Sequence, residues 1–116
     1  MAHIDLKNEA PGILGLMFYK ESTAIALNQL AETILRGPSS LSQGERELIA
    51  GVVSYLNDCN FCHRSHAAVA DYCLKENVGF CKEVAMDIEG NSKISSKMKA
   101  LLLIAKAVFK SGKEVS

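Results

Sequence analysis

The chain contains no run of strand-like alternation. Its apolar residues instead recur every three to four positions in a succession of segments separated by turn signals. Residues 22–36 carry Ile25, Leu27, Leu30, Ile34 and Leu35 at helical spacing, and Gly37-Pro38 stops that helix. The next helix opens at Ser42-Gln43-Gly44-Glu45, a capping-box pattern in which serine and glutamate each satisfy the other's backbone donor. Its core face reads Leu48, Ile49, Val52, Val53 and Leu56. Asn57 or Asp58 is expected to cap a further helix. That cap places Cys59 in or near the first turn, and the helix should end at about Leu74 or Lys75. A shorter helix is expected over 80–88, ended by Gly90-Asn91. The last begins after Ser95 or Ser96, carries Met98, Leu101, Leu102, Ile104, Ala105, Val108 and Phe109, and closes at Gly112.

These segments predict an all-α fold, and 116 residues suit one compact domain. The expected organisation is an N-terminal tail over 1–10, containing His3, followed by a helical domain over 11–116. Met17, Met86 and Met98 read as core filler, and Cys73 and Cys81 as packed core thiols, with Cys73 near a helix end.

Lysine plus arginine equals aspartate plus glutamate, 13 each, and there is no basic cluster. No global field therefore favours nucleic acid or an anionic membrane. The longest purely aliphatic run, 100–105, is far too short to span a bilayer. The first residues lack the apolar stretch of a signal peptide. A cytoplasmic location is expected, where four cysteines rest reduced and a close pair is catalytic or metal-binding rather than structural.

That pair lies in Cys59-Asn60-Phe61-Cys62-His63-Arg64-Ser65-His66. At about 100° per residue, Cys59, Cys62, His63 and His66 share one arc of a helix. Cys59 and Cys62, at i and i+3, are close enough to form a disulfide after modest rotamer adjustment. His66 stands one turn beyond Cys62, and His63 one turn beyond Cys59. A free thiol is only a few per cent ionised near neutral pH. A helix N-terminus and a neighbouring imidazole both favour the thiolate, and the second cysteine can then close a disulfide on an oxidised first. His66 one turn away favours Cys62 as the more acidic thiol and the first to meet an oxidant, with Cys59 resolving; the position of Cys59 nearer the helix N-terminus, with His63 at i+4, argues for the reverse order. A histidine base needs an orienting partner. Glu47, twelve residues before Cys59 and on the face of Leu48 and Gly51, is the candidate.

The pattern Glu47-x11-Cys59-x2-Cys62-x3-His66, with Leu41, Glu45 and Val53-Ser54-x-Leu56-Asn57 around it, resembles the signature of the carboxymuconolactone decarboxylase superfamily in its alkylhydroperoxidase D-like branch. The resemblance runs over about 11–109 and is most specific over 41–70. It implies an all-helical, usually trimeric or hexameric protein with thiol peroxidase or disulfide reductase activity. Its substrates would be a hydroperoxide and an external dithiol donor, with no cofactor. It also implies a proton relay of glutamate, histidine and water, which falls here on Glu47 and His66, serving Cys62 and Cys59. Phe61 stands where many relatives have tyrosine, and His63 directly after Cys62 is unusual. The chain ends where many relatives continue into more helices, so a neighbouring subunit is expected to supply cover.

The rival reading is a metal-binding or redox-sensing module built on Cys59, Cys62, His63 and His66. Four ligands on two turns of one helix do not easily surround a tetrahedral ion. A thioredoxin-like reading fails because it needs a βαβ pattern. His63 reads equally well as a solvated surface histidine.

Overall fold

The computed structural model describes residues 3–115; Met1 and Ala2 of the expected tail, and Ser116, lie outside them. Among the described residues there is no strand, so the all-α class holds. The helices are α1 (Ile13–Tyr19), α2 (Glu21–Arg36), α3 (Gln43–Leu56), α4 (Asn60–Cys73), α5 (Phe80–Met86) and α6 (Ser96–Lys110), followed by a 3₁₀ turn, Gly112–Glu114. None of them is long and apolar enough to cross a membrane. The chain divides into two compact units, Met1–Pro38 and Ser39–Ser116.

The first unit holds α1 and α2. Asn8 organises the segment before α1: its amide donates to the carbonyls of Leu6 (2.8 Å) and Gly15 (3.1 Å) and its oxygen accepts from Ala10 N–H. Helix α1, which the periodicity left unassigned, follows Gly12 in the left-handed region at φ 58°. Helix α2 ends as expected, with the Gly37 N–H returning to the carbonyls of Glu32 and Thr33 before Pro38, which has no N–H to continue the ladder. Its apolar stripe is exposed: Ile25, Leu27, Leu30 and Ile34 all face outward, and only Ala24 is buried.

In the second unit, α3 packs against α4, α5 and α6. The expected capping box is present, with Glu45 N–H donating to the Ser42 hydroxyl (3.1 Å) and Ser42 N–H to the Glu45 carboxylate (2.7 Å). The core joins Leu48 and Val52 of α3, Ala70 of α4, Phe80, Cys81 and Val84 of α5, then Ile88, and Met98 and Leu102 of α6. Helix α6 starts at Ser95, whose hydroxyl accepts from Met98 N–H. Met98 is thus core filler as expected, and Met17 is half-buried, but Met86 is 67% exposed at the end of a two-turn helix that stops two residues early. Cys81 is fully buried, whereas Cys73 is exposed, because the last turn of α4 carries it to the outer side.

The α3–α4 junction differs from the expected cap. Asn57 and Asp58 do not open α4; they close α3. Asp58 takes the left-handed conformation at φ 54°, and the N–H groups of Asn57, Asp58 and Cys59 return to the carbonyls of Val53, Tyr55 and Ser54. This is a Schellman-type ending with aspartate in the position glycine usually fills. Cys59 is itself the N-cap of α4, and its carbonyl accepts the His63 N–H at 2.9 Å. One residue therefore ends one helix and begins the next.

Candidate active site

The site is built on the facing sides of α3 and α4. At Gly51 a Cβ would make only ordinary contact with α4, 3.6 Å from Ala67 N and 3.7 Å from His66 Cβ, but would lie 2.5 Å from the Cys81 sulfur of α5. Helix α3 supplies the partners of the two histidines of the motif, His63 and His66.

Glu47 is 1% exposed, and its Oε2 accepts from His66 Nδ1 at 2.6 Å. The expectation that Glu47 points inward toward His66 is met. A carboxylate on Nδ1 fixes the imidazole as the Nδ1–H tautomer and leaves Nε2 as the proton-accepting atom. It also stabilises the imidazolium that forms when Nε2 takes a proton.

His63 is not a surface residue. It is 8% exposed, its Nδ1–H donates to the Gly51 carbonyl at 2.8 Å, and its ring meets that of Tyr55 edge-on, centroids 5.3 Å apart. A carbonyl can only accept, so His63 too has a free Nε2 lone pair when neutral. The i+4 relation to Cys59 was the signal in the sequence that pointed to it. Gly51 as its anchor had none.

Cys59 and Cys62 are both half-buried free thiols, close together one turn apart. The Cys62 thiol is pushed above its ordinary value, first by its hydrogen bond to Cys59, then by burial and by negative charge on Cys59. This departs from the expectation that Cys62 is the more acidic sulfur. That expectation counted the histidine one turn away and not the second sulfur.

Two further groups frame the site. Cys81 is an inert thiol, pushed up to about 12 by burial and by the charge of Asp71. Asp71, buried on α4, accepts from Gly79 N–H (2.8 Å) and Cys81 N–H (2.9 Å) and so pins the start of α5 against the site. No sequence motif signalled Asp71. Among the described residues, no three His, Cys, Asp or Glu side chains converge as a metal site.

Fold and site together define an all-helical protein with a Cys-x-x-Cys pair at the start of one helix and a half-buried histidine held by a buried glutamate of the neighbouring helix. Residues 22–71 match the model of the Carboxymuconolactone decarboxylase family, a span that covers α2, α3 and most of α4 and includes Glu47, Cys59, Cys62 and His66. Over that segment the chain is similar to the carboxymuconolactone decarboxylase family. No curated protein and no solved structure matches the chain significantly.

Proposed function

We propose that this protein is a thiol peroxidase or disulfide reductase of the alkylhydroperoxidase D-like branch, working through Cys59, Cys62, His66 and Glu47. The observation that carries the reading is the contact at 2.6 Å between buried Glu47 and half-buried His66, the latter one turn beyond Cys62. That histidine is a base with a fixed tautomer and a counter-charge, carried one helical turn from a thiol whose pKa its neighbour Cys59 raises.

In this scheme the Cys62 proton passes to His66 Nε2, directly or through water, and Glu47 balances the imidazolium. The Cys62 thiolate attacks a hydroperoxide oxygen, the O–O bond breaks, and the alkoxide leaves with the proton from His66. Cys62 is now a sulfenic acid. Cys59 attacks it, the S–S bond forms and water leaves. An external dithiol then reduces the disulfide by exchange. A reducing compartment such as the cytoplasm suits this cycle, and the chain is proposed to act as a homo-oligomer, a trimer or a hexamer.

The test is peroxide consumption by the purified protein with several dithiol donors, each compared with the Cys59→Ser/Cys62→Ser double variant. Turnover that needs both cysteines supports the reading; equal rates for the two proteins remove it. Stoichiometric zinc in protein purified under reducing conditions would replace it with a metal-binding module.

A further inference from the structure

Each of the two cysteines has a histidine one turn later, and each histidine is locked by an acceptor on α3. His66 Nδ1 is held by the Glu47 carboxylate and His63 Nδ1 by the Gly51 carbonyl. The two acceptors are themselves one turn apart on α3, so the arrangement is a repeated unit: acceptor, histidine, cysteine. The relay to Cys62 uses one copy and leaves the other unassigned.

We propose that His63 is the proton acceptor of Cys59, so that each sulfur of the pair has its own base. The inference rests on the thiol chemistry proposed above and concerns the step in which Cys59 reacts. Cys59 S–H gives its proton to His63 Nε2. The Cys59 thiolate attacks the Cys62 sulfenic sulfur, the S–S bond forms, the S–O bond breaks, and hydroxide leaves as water with a proton from the imidazolium. When the disulfide is reduced the same proton transfer runs backward.

Three observations carry this. Burying His63 with Nδ1 tied to a carbonyl fixes the one tautomer in which Nε2 is basic. Cys59 and His63 line the same open cleft, of about 1080 Å³, which Cys62 and His66 do not line. Of the two couples, the cleft therefore opens onto Cys59–His63 alone. Finally, the partners differ in charge. A carboxylate stabilises imidazolium far more than a carbonyl does, which suits His66 to hold a proton and His63 to take one transiently. The ionisable groups that share the cleft with them are mixed: Asp58, Asp71 and Glu76 against Arg64 and Lys82, with the phenols of Tyr55 from α3 and Tyr72 from α4. No single sign of charge dominates the cleft at Cys59, and the imidazole one turn away is the basic group nearest to it along the helix.

The test reads thiol acidity instead of turnover. In full-length Cys62→Ser, the rate of Cys59 alkylation by iodoacetamide is followed against pH by peptide mass spectrometry, which separates Cys59 from Cys73 and Cys81. His63→Asn keeps an amide N–H for the Gly51 carbonyl and deletes Nε2. It should slow Cys59 alkylation at pH 7 by about tenfold, moving the midpoint up by about one pH unit, while His66→Asn should leave it within about twofold. In Cys59→Ser the pattern should cross, with Cys62 sensitive to His66→Asn and not to His63→Asn. If His63→Asn does not fold, the His63 imidazole NMR resonance in Cys62→Ser should titrate with Cys59 and shift when Cys59 is alkylated. An unmoved Cys59 profile in His63→Asn, equal sensitivity of both sulfurs to both histidines, or an imidazole resonance indifferent to alkylation overturns the proposal. A crossed pattern in a protein that consumes no peroxide would keep the pairing and remove the peroxidase reading.

Discussion

Glu47 and His66 are 19 residues apart in the chain, yet Glu47 Oε2 and His66 Nδ1 lie 2.6 Å apart, with the carboxylate buried. If this pair moves the proton, Glu47→Gln and His66→Phe should each lower peroxide turnover by roughly 10²- to 10⁴-fold near neutral pH. Circular dichroism should show both variants folded. Near-normal rates in both would remove the relay while leaving the cysteines catalytic.

The two sulfurs should respond differently to loss of the other. In Cys59→Ser the hydrogen bond to the Cys59 sulfur and the charge on it, the first and third causes that raise Cys62, are lost and burial remains, so the Cys62 alkylation midpoint should fall to lower pH. Peroxide should then leave Cys62 as a sulfenic acid that dimedone traps, because no adjacent thiol resolves it. In Cys62→Ser, Cys59 should be labelled much more slowly. Faster labelling of Cys59 would reverse the order of attack.

Gly51 is where α3 and α5 meet most tightly. A methyl group there would sit 2.5 Å from the Cys81 sulfur. Gly51→Ala should lower stability by about 1–3 kcal/mol in urea unfolding, the usual cost of overpacking a core. Cys81→Ala removes the obstructing sulfur, so adding Gly51→Ala in that background should cost distinctly less. Additive effects of the two changes would mean the clash is relieved elsewhere.

Asp71 accepts one backbone N–H on each carboxylate oxygen. In Asp71→Asn the side-chain amide retains one acceptor and turns a donor toward the other N–H. The substitution should therefore cost about 1–3 kcal/mol. Hydrogen exchange at the Gly79 and Cys81 amides should quicken ahead of that in α3. Unchanged protection at both amides would show that α5 does not depend on this carboxylate.

Exposed apolar side chains run along α2 (Ile25, Leu30, Ile34) and along α6 (Ile104, Val108, Phe109). Surfaces of this kind are covered in oligomers. Light scattering at micromolar concentration should give a trimer or a hexamer. A monomer would count against the proposed assembly.

The sequence by itself determined the helices of the second unit and the register of its cysteine–histidine motif. Periodicity and capping are local: the Ser42–Glu45 box and the Ser95 cap need only residues three apart, and both formed as read. Cys59, Cys62 and His66 fall in register because one helix carries them. What lay across a helix–helix contact was decided only by tertiary structure. The face of Glu47 was legible, but its contact with His66 required α4 to pack on α3 at Gly51. His63 read equally as solvated or engaged until the Gly51 carbonyl and the Tyr55 ring enclosed it. Asn57 and Asp58 have the chemistry of N-caps, yet they ended α3 because the chain had to reverse there before α4 could begin. Met86 and Cys73 are apolar by type and exposed by position. Periodicity states which residues share a side of a helix; which side is covered depends on the neighbour that arrives there.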